Sequence, residues 1–89
     1  GKYEQDARLL LEYVGGKENI AAVSHCVSRM RFVLNDPAKA DDSFYKAMVR
    51  LRKEHRVISE GKIEFLYPDN TDLLAQHDAL QNIVDAADG

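Results

Sequence analysis

The chain has 89 residues, 45% of them apolar and 30% charged, enough for one soluble core and too few for two. No stretch approaches the ~18 consecutive apolar residues of a membrane span, nor does a basic-then-apolar leader open the sequence, so a cytoplasmic domain without direct membrane insertion is expected. A single cysteine excludes an internal disulfide and a multi-cysteine zinc site, and the net charge of −3 argues against a general nucleic-acid binder.

In chain order, Tyr3, Ala7, Leu10, Leu11 and Val14 recur at helical spacing, which predicts a helix over 3–14. Gly15-Gly16 stops it, because glycine adopts a left-handed cap without strain. From Ile20 the period becomes two. Ile20, Ala22, Ser24 and Cys26 fall on one face, with Ala21, Val23 and His25 on the other. A second alternation sets Met30, Phe32 and Leu34 against Arg29, Arg31 and Val33, so the two runs read as a hairpin turning at Val27-Ser28. Asn35-Asp36-Pro37 ends it, since proline cannot donate to a ladder.

Asp41 and Asp42 are N-cap candidates for a helix over 42–54 with Phe44, Ala47, Met48 and Leu51 on its apolar face. Val57-Ile58, the Ser59-Glu60-Gly61 turn, and Ile63, Phe65 and Tyr67 alternating with polar residues predict a second hairpin. After Pro68-Asp69-Asn70, residues Leu73, His77, Leu80, Val84 and Ala87 mark a last helix over 71–87. The expected fold is α+β in the order αββαββα: a four-stranded antiparallel sheet with three helices packed on it, forming one domain over 1–89.

Chemistry concentrates at Cys26. A thiol reacts as the thiolate, and a free pKa of ~8.5 leaves little of it ionised at neutral pH. The guanidinium groups of Arg29 and Arg31 favour the anion, and turn amides from Val27 and Ser28 can face it. The same groups, with the Ser28 hydroxyl, would hold the oxygens of a phosphoryl group on the sulfur. Cys26 is therefore the candidate nucleophile, and Ser28, Arg29 and Arg31 the candidate phosphate-binding residues. Without these neighbours, a lone cysteine reads as packing. His25 lies on the opposite strand face and is a poor base for that thiol. His55 and His77 sit in unremarkable contexts, and the histidines lack metal-ligand spacing. No metal or cofactor is called for.

The basic run Lys46, Arg50, Arg52, Lys53 and Arg56 contrasts with residues 69–89, which carry five aspartates and no lysine or arginine. No aromatic side chain interleaves with the basic ones, and the acidic end repels a phosphate backbone, so no nucleic-acid partner is expected. The run reads first as a solvated helix face and otherwise as a small binding module over 46–56.

The stretch LLEYVGGKENIAAVSHCVSRMRFVLND resembles the front of the enzyme IIB domain of the phosphoenolpyruvate:sugar phosphotransferase system, of the glucose and sucrose–trehalose type. That family joins a helix to Gly-Gly-Lys-Glu-Asn-Ile, found here as Gly15–Ile20, and to His-Cys-x-Thr-Arg-Leu-Arg-Phe, which corresponds to His25–Phe32. Ser28 stands where threonine is usual and Met30 where leucine is. The resemblance covers roughly residues 3–40. It implies that Cys26 takes a phosphoryl group from a histidine of enzyme IIA and passes it to a sugar held by the membrane domain, enzyme IIC. The second half departs from the family's glutamine- and glycine-rich hairpin. Residues 43–70, SFYKAMVRLRKEHRVISEGKIEFLYPDN, are similar instead to a C-terminal segment of family 13 α-glucosidases of the trehalose-6-phosphate hydrolase kind. None of that family's catalytic carboxylates lies there, so no glycosidase activity is implied. The two resemblances meet at residues 40–42 and suggest a hybrid, whether a natural fusion or an engineered one. An inactive scaffold is the alternative to a phosphoryl carrier.

Overall fold

A computed structural model describes residues 1–40, 46, 50, 51 and 54–86. Helix α1 spans Lys2–Tyr13 and buries Ala7, Leu10 and Leu11 on one face. It stops at Gly15 and Gly16, with φ of 101° and 92°. The Gly16 amide donates to the Leu11 carbonyl at 2.7 Å and the Gly15 amide to the Glu12 carbonyl at 3.3 Å. This pair of bonds is a Schellman stop, which satisfies carbonyls the helix end would leave open. A Cβ at Gly15 would come within 2.7 Å of the Lys39 Cβ, so the close approach also requires glycine.

Strand β1 (Ile20–His25) pairs with β2 (Arg29–Leu34), and β3 (His55–Ser59) pairs with β4 (Lys62–Leu66). The four strands form one antiparallel sheet in the order β1-β2-β4-β3. The two hairpins therefore meet along β2 and β4, where Met30 faces Phe65 and Phe32 faces Ile63. Helix α2 (Asn70–Asp85) packs on α1 and on β1 and β2. Asp69 caps it, its carboxylate accepting from the Thr71 amide at 2.8 Å and the Asp72 amide at 3.2 Å. One sheet face is thus covered, and the core between layers holds Leu10, Val14, Met30, Phe32, Phe65 and Leu73. The Phe32 and Phe65 rings meet edge to face, with centroids 5.2 Å apart.

Most expected elements appear, with three corrections. The alternation expected along β1 breaks at a bulge between Ile20 and Ala22. An extra residue there turns both Ile20 and Val23 toward the core. The helix expected over 42–54 lies mostly outside the described residues, which contain two α-helices. Of its apolar face, Phe44, Ala47 and Met48 are outside them, while Leu51 is helical and packs partly buried on the core. Finally, His55 and Arg56 belong to β3, so the basic run of 46–56 does not lie on one helix. Helix α2 is described to Asp85, and Ala87 lies outside the described residues.

Asn19 explains why the segment after α1 is held so tightly. It is 2% exposed, and its Nδ2 donates to the Val14 carbonyl at 2.6 Å and the Asp36 carbonyl at 3.0 Å. Its Oδ1 accepts from the Asp36 amide at 2.8 Å. One side chain thereby ties the end of α1 to the end of β2 and fixes the hairpin against the helix.

Candidate functional site

Residues Cys26–Ser28 form the turn between β1 and β2, at one end of the sheet. Cys26 lies just beyond the strand rather than on it, and is exposed. Its amide donates to the Arg29 carbonyl at 2.9 Å, closing the turn. That closure leaves the backbone N–H groups of Ser28 and Arg29 facing the sulfur. They are the main reason its pKa falls below that of an ordinary thiol. The nearby charge of Arg31 adds to this effect, while partial desolvation and the charge of Glu64 oppose it. The sequence pattern points to the arginines first. In the fold the turn amides come first.

Two contacts from the second half of the chain hold the turn. The Asn70 side chain donates to the Val27 carbonyl at 2.7 Å, and the Tyr67 amide donates to the Ser28 carbonyl at 2.8 Å. With two carbonyls engaged on one side, the amides remain directed at the thiol. No local pattern marks Asn70 as a partner of a turn 43 residues away.

The candidate residues are brought together unequally. Cys26, Ser28 and Arg29 share the turn, with Ser28 exposed and Arg29 half-buried. Arg31 lies opposite Ser24 on β1 and beside Glu64 on β4. Its Nη2 donates to Glu64 Oε2 at 3.3 Å. Arg56, across β4 on β3, donates to Glu64 Oε1 at 2.7 Å. Arg31 is therefore not a solitary charge beside the thiol: it belongs to an ion triad on the sheet face opposite the helices. The guanidinium of Arg56 first, and that of Arg31 after it, hold the Glu64 carboxyl below its usual 4.5 although burial opposes this.

His25 takes the other side. Its Nδ1 is 3.0 Å from the Cys26 carbonyl oxygen, which can only accept, so Nδ1 carries the proton. Its ring meets His77 of α2 edge-on, with centroids 4.7 Å apart. His77, unremarkable in sequence, thus packs behind the turn. Val27, 81% exposed, forms an apolar tip next to Cys26.

This arrangement can stabilise a thiolate and an anion attached to it. Comparison with known proteins agrees in location. Residues 8–41 match the family described as phosphotransferase system, EIIB. The chain is 60% identical over 37 residues to the trehalose-specific EIIBC component of Escherichia coli K12, covering 42% of this chain and 8% of that protein. It is 49% identical over 47 residues to a beta-glucoside-specific EIIBCA component of Halalkalibacterium halodurans, 53% of this chain and 7% of that protein. A sucrose-specific EIIBC component of Klebsiella pneumoniae is 56% identical over 39 residues, 44% and 9% respectively. The chain thus spans less than a tenth of these relatives. Over residues 8–41, from α1 through the Cys26 turn to the end of β2, its sequence matches that of phosphotransferase system EIIB domains.

Proposed function

We propose that the chain is an enzyme IIB-like phosphoryl carrier of a sugar phosphotransferase system, most like the trehalose and sucrose type, with Cys26 as the nucleophile. The observation that carries this reading is an exposed thiol whose pKa is lowered by two turn amides, inside the segment that matches EIIB. In the forward step the thiolate attacks the phosphorus of a phosphohistidine on a IIA domain. The S–P bond forms as the P–N bond breaks, and the electron pair stays on the imidazole nitrogen, which takes up a proton. The Ser28 and Arg29 amides, the Ser28 hydroxyl and the Arg29 and Arg31 guanidiniums hold the phosphoryl oxygens. In the second step a sugar hydroxyl oxygen attacks the phosphorus, the S–P bond breaks, and the thiolate is restored as the hydroxyl proton leaves to solvent. A IIA domain and a membrane IIC domain are the partners, and the chain works at the cytoplasmic face of the membrane. Among the described residues no helix is long and apolar enough to span that membrane itself.

The second reading is a hybrid completed by an α-glucosidase-like segment, folded but without phosphotransfer. It is supported by the end of the EIIB match at residue 41, at the junction between the two resemblances. A binding module built on the basic run is less favoured, since Arg56 is committed to Glu64. The test is incubation with phosphoenolpyruvate, enzyme I, the histidine phosphocarrier protein and a IIA domain, followed by intact mass measurement. One added phosphoryl group on the native chain and none on Cys26→Ser supports the carrier. A folded chain that gains no mass supports the inactive hybrid.

A further inference from the structure

Glu64 is the only buried carboxylate among the described residues, 2% exposed. The sheet order places it between Arg31 of β2 and Arg56 of β3, one oxygen to each. The two bonds are unequal. Arg56 contacts at 2.7 Å, while Arg31 contacts at 3.3 Å, at the weak end for a charge-assisted bond. Arg31 Nε is buried and has no hydrogen-bond partner among the described residues. Arg31 is thus held by one edge of its guanidinium. By register it shares the open sheet face with Ser24 and lies two rows from the Cys26–Arg29 closure. A long side chain spans that diagonal.

We propose that Glu64 is a positioning residue that parks Arg31 beside Cys26 and releases it to an anion formed on the sulfur, with Arg56 left to neutralise the buried carboxylate. The identity of that anion as a phosphoryl group rests on the carrier function proposed above. Removing the sole partner of a buried carboxylate is strongly unfavourable, which would lock a simple pair in place. The second arginine removes this obstacle. A phosphoryl group brings about two negative charges and three acceptor oxygens, enough to engage the Arg31 edge that Glu64 leaves unsatisfied. Before transfer, the parked pair also tempers the thiol: Arg31 favours the thiolate and Glu64 opposes it. Among the described residues, the charged side chains on this face include Arg29 and Arg31 from β2, Glu64 from β4 and Arg56 from β3, and the His25 ring lies on the other side of the turn.

The test uses the full chain and needs no partner protein. Alkylation rates of Cys26 with iodoacetamide are measured across pH for the native chain, Glu64→Gln and Arg56→Gln, with circular dichroism confirming the fold of each. Glu64→Gln removes a negative charge and lowers the midpoint, raising reactivity below it by about threefold, half a pKa unit. Arg56→Gln unmasks Glu64 and raises the midpoint by a similar factor, so either variant tests the proposal if the other fails to fold. In a second arm Cys26 is capped with iodoacetate, which leaves an anion on the sulfur, or with iodoacetamide, which leaves a neutral amide. The Arg31 Nε resonance moves with the anionic cap and not with the neutral one, while that of Arg56 stays. Midpoints that stay fixed or move in the same direction overturn the proposal, as does an Arg31 signal indifferent to the charge of the cap. A chain that passes both arms yet gains no phosphoryl group in the partner assay defeats the carrier function and leaves the Glu64 device standing.

Discussion

The two hairpins differ in what they bring. The first, β1 and β2, carries Cys26, Ser28, Arg29 and Arg31, and its sequence lies within the EIIB match. The second, β3 and β4, carries no nucleophile, yet it supplies Glu64 and Arg56 to Arg31, and the segment after it supplies Tyr67 and Asn70 to the turn. The candidate thiol resides in one half and several of the contacts that surround its turn come from the other. If the halves have separate sequence origins, the second was not a passive filler: it presents a pairing edge, a buried counter-charge and a turn anchor in register.

The severest way to break this comparison is to cut the core where the halves meet. Phe65 of β4 is fully buried and its ring contacts Phe32 of β2. Phe65→Ala should cost about 3–5 kcal/mol, the range for a buried aromatic truncated in a packed core. Chemical denaturation checks it. A loss near 1 kcal/mol would show a junction loosely packed enough to collapse around the gap.

Asn19 tests the first half alone. Asn19→Ala leaves the Val14 carbonyl and the Asp36 amide without their partner, and the Asp36 carbonyl with only the Lys39 amide at 3.3 Å. The expected loss is about 1–3 kcal/mol, the cost of buried polar groups left unpaired. Glycine at this position should be no better, because the amide is the stabilising group. Equal stability of native and variant chains in urea would show that water replaces the side chain there.

Acid probes the bridge between halves. The Glu64 carboxyl is held below its ordinary 4.5, chiefly by Arg56. A depressed carboxylate pKa means the unfolded chain takes up protons first, so this contribution is full above that ordinary value. It is lost as pH falls through the lowered folded one. Thermal melts stepped from neutral to acid pH should therefore fall more steeply for the native chain than for Glu64→Gln. Parallel profiles would show that the triad contributes nothing to folding.

Much of this was legible in the sequence, for local reasons. Helix α1 and its Gly15-Gly16 stop, the turn at Cys26 and the hairpin around Gly61 all follow from periodicity and backbone chemistry that neighbouring residues determine. Gly61 has φ of 79°, and its carbonyl accepts from the Leu34 amide at 2.7 Å. The exposed thiol and the turn amides that face it were readable for the same reason. What was not readable depends on sheet order. Glu64 alternates with Ile63 and Phe65 and looks like an ordinary solvated strand residue. Only the order β1-β2-β4-β3 puts an arginine on each side of it. Arg56 was read as helical because the charge run is continuous, although β3 begins at His55. The β1 bulge likewise arises from pairing, since one residue too many lies between the contacts of Ile20 and Ala22.

The mildest expected effect sharpens where the second half stops mattering. His77 of α2 packs edge-on against His25, directly behind the Cys26 turn. Its Nε2 is buried without a hydrogen-bond partner among the described residues. A polar atom in that state contributes shape and not bonding, and its desolvation is uncompensated. His77→Phe keeps a flat ring against His25 and replaces the orphan nitrogen by carbon. The gain from removing the buried polar atom opposes the slight overpacking of a larger ring. Stability should therefore change by less than about 1 kcal/mol, and an increase is within that range. Alkylation of Cys26 should keep its midpoint, because the amides of Ser28 and Arg29 that lower the thiol pKa do not touch His77. A large loss of stability, or a shifted alkylation midpoint in a folded variant, would give this imidazole a polar role. The control exerted by the second half would then extend beyond Glu64 and Asn70 to the helix-covered side of the turn.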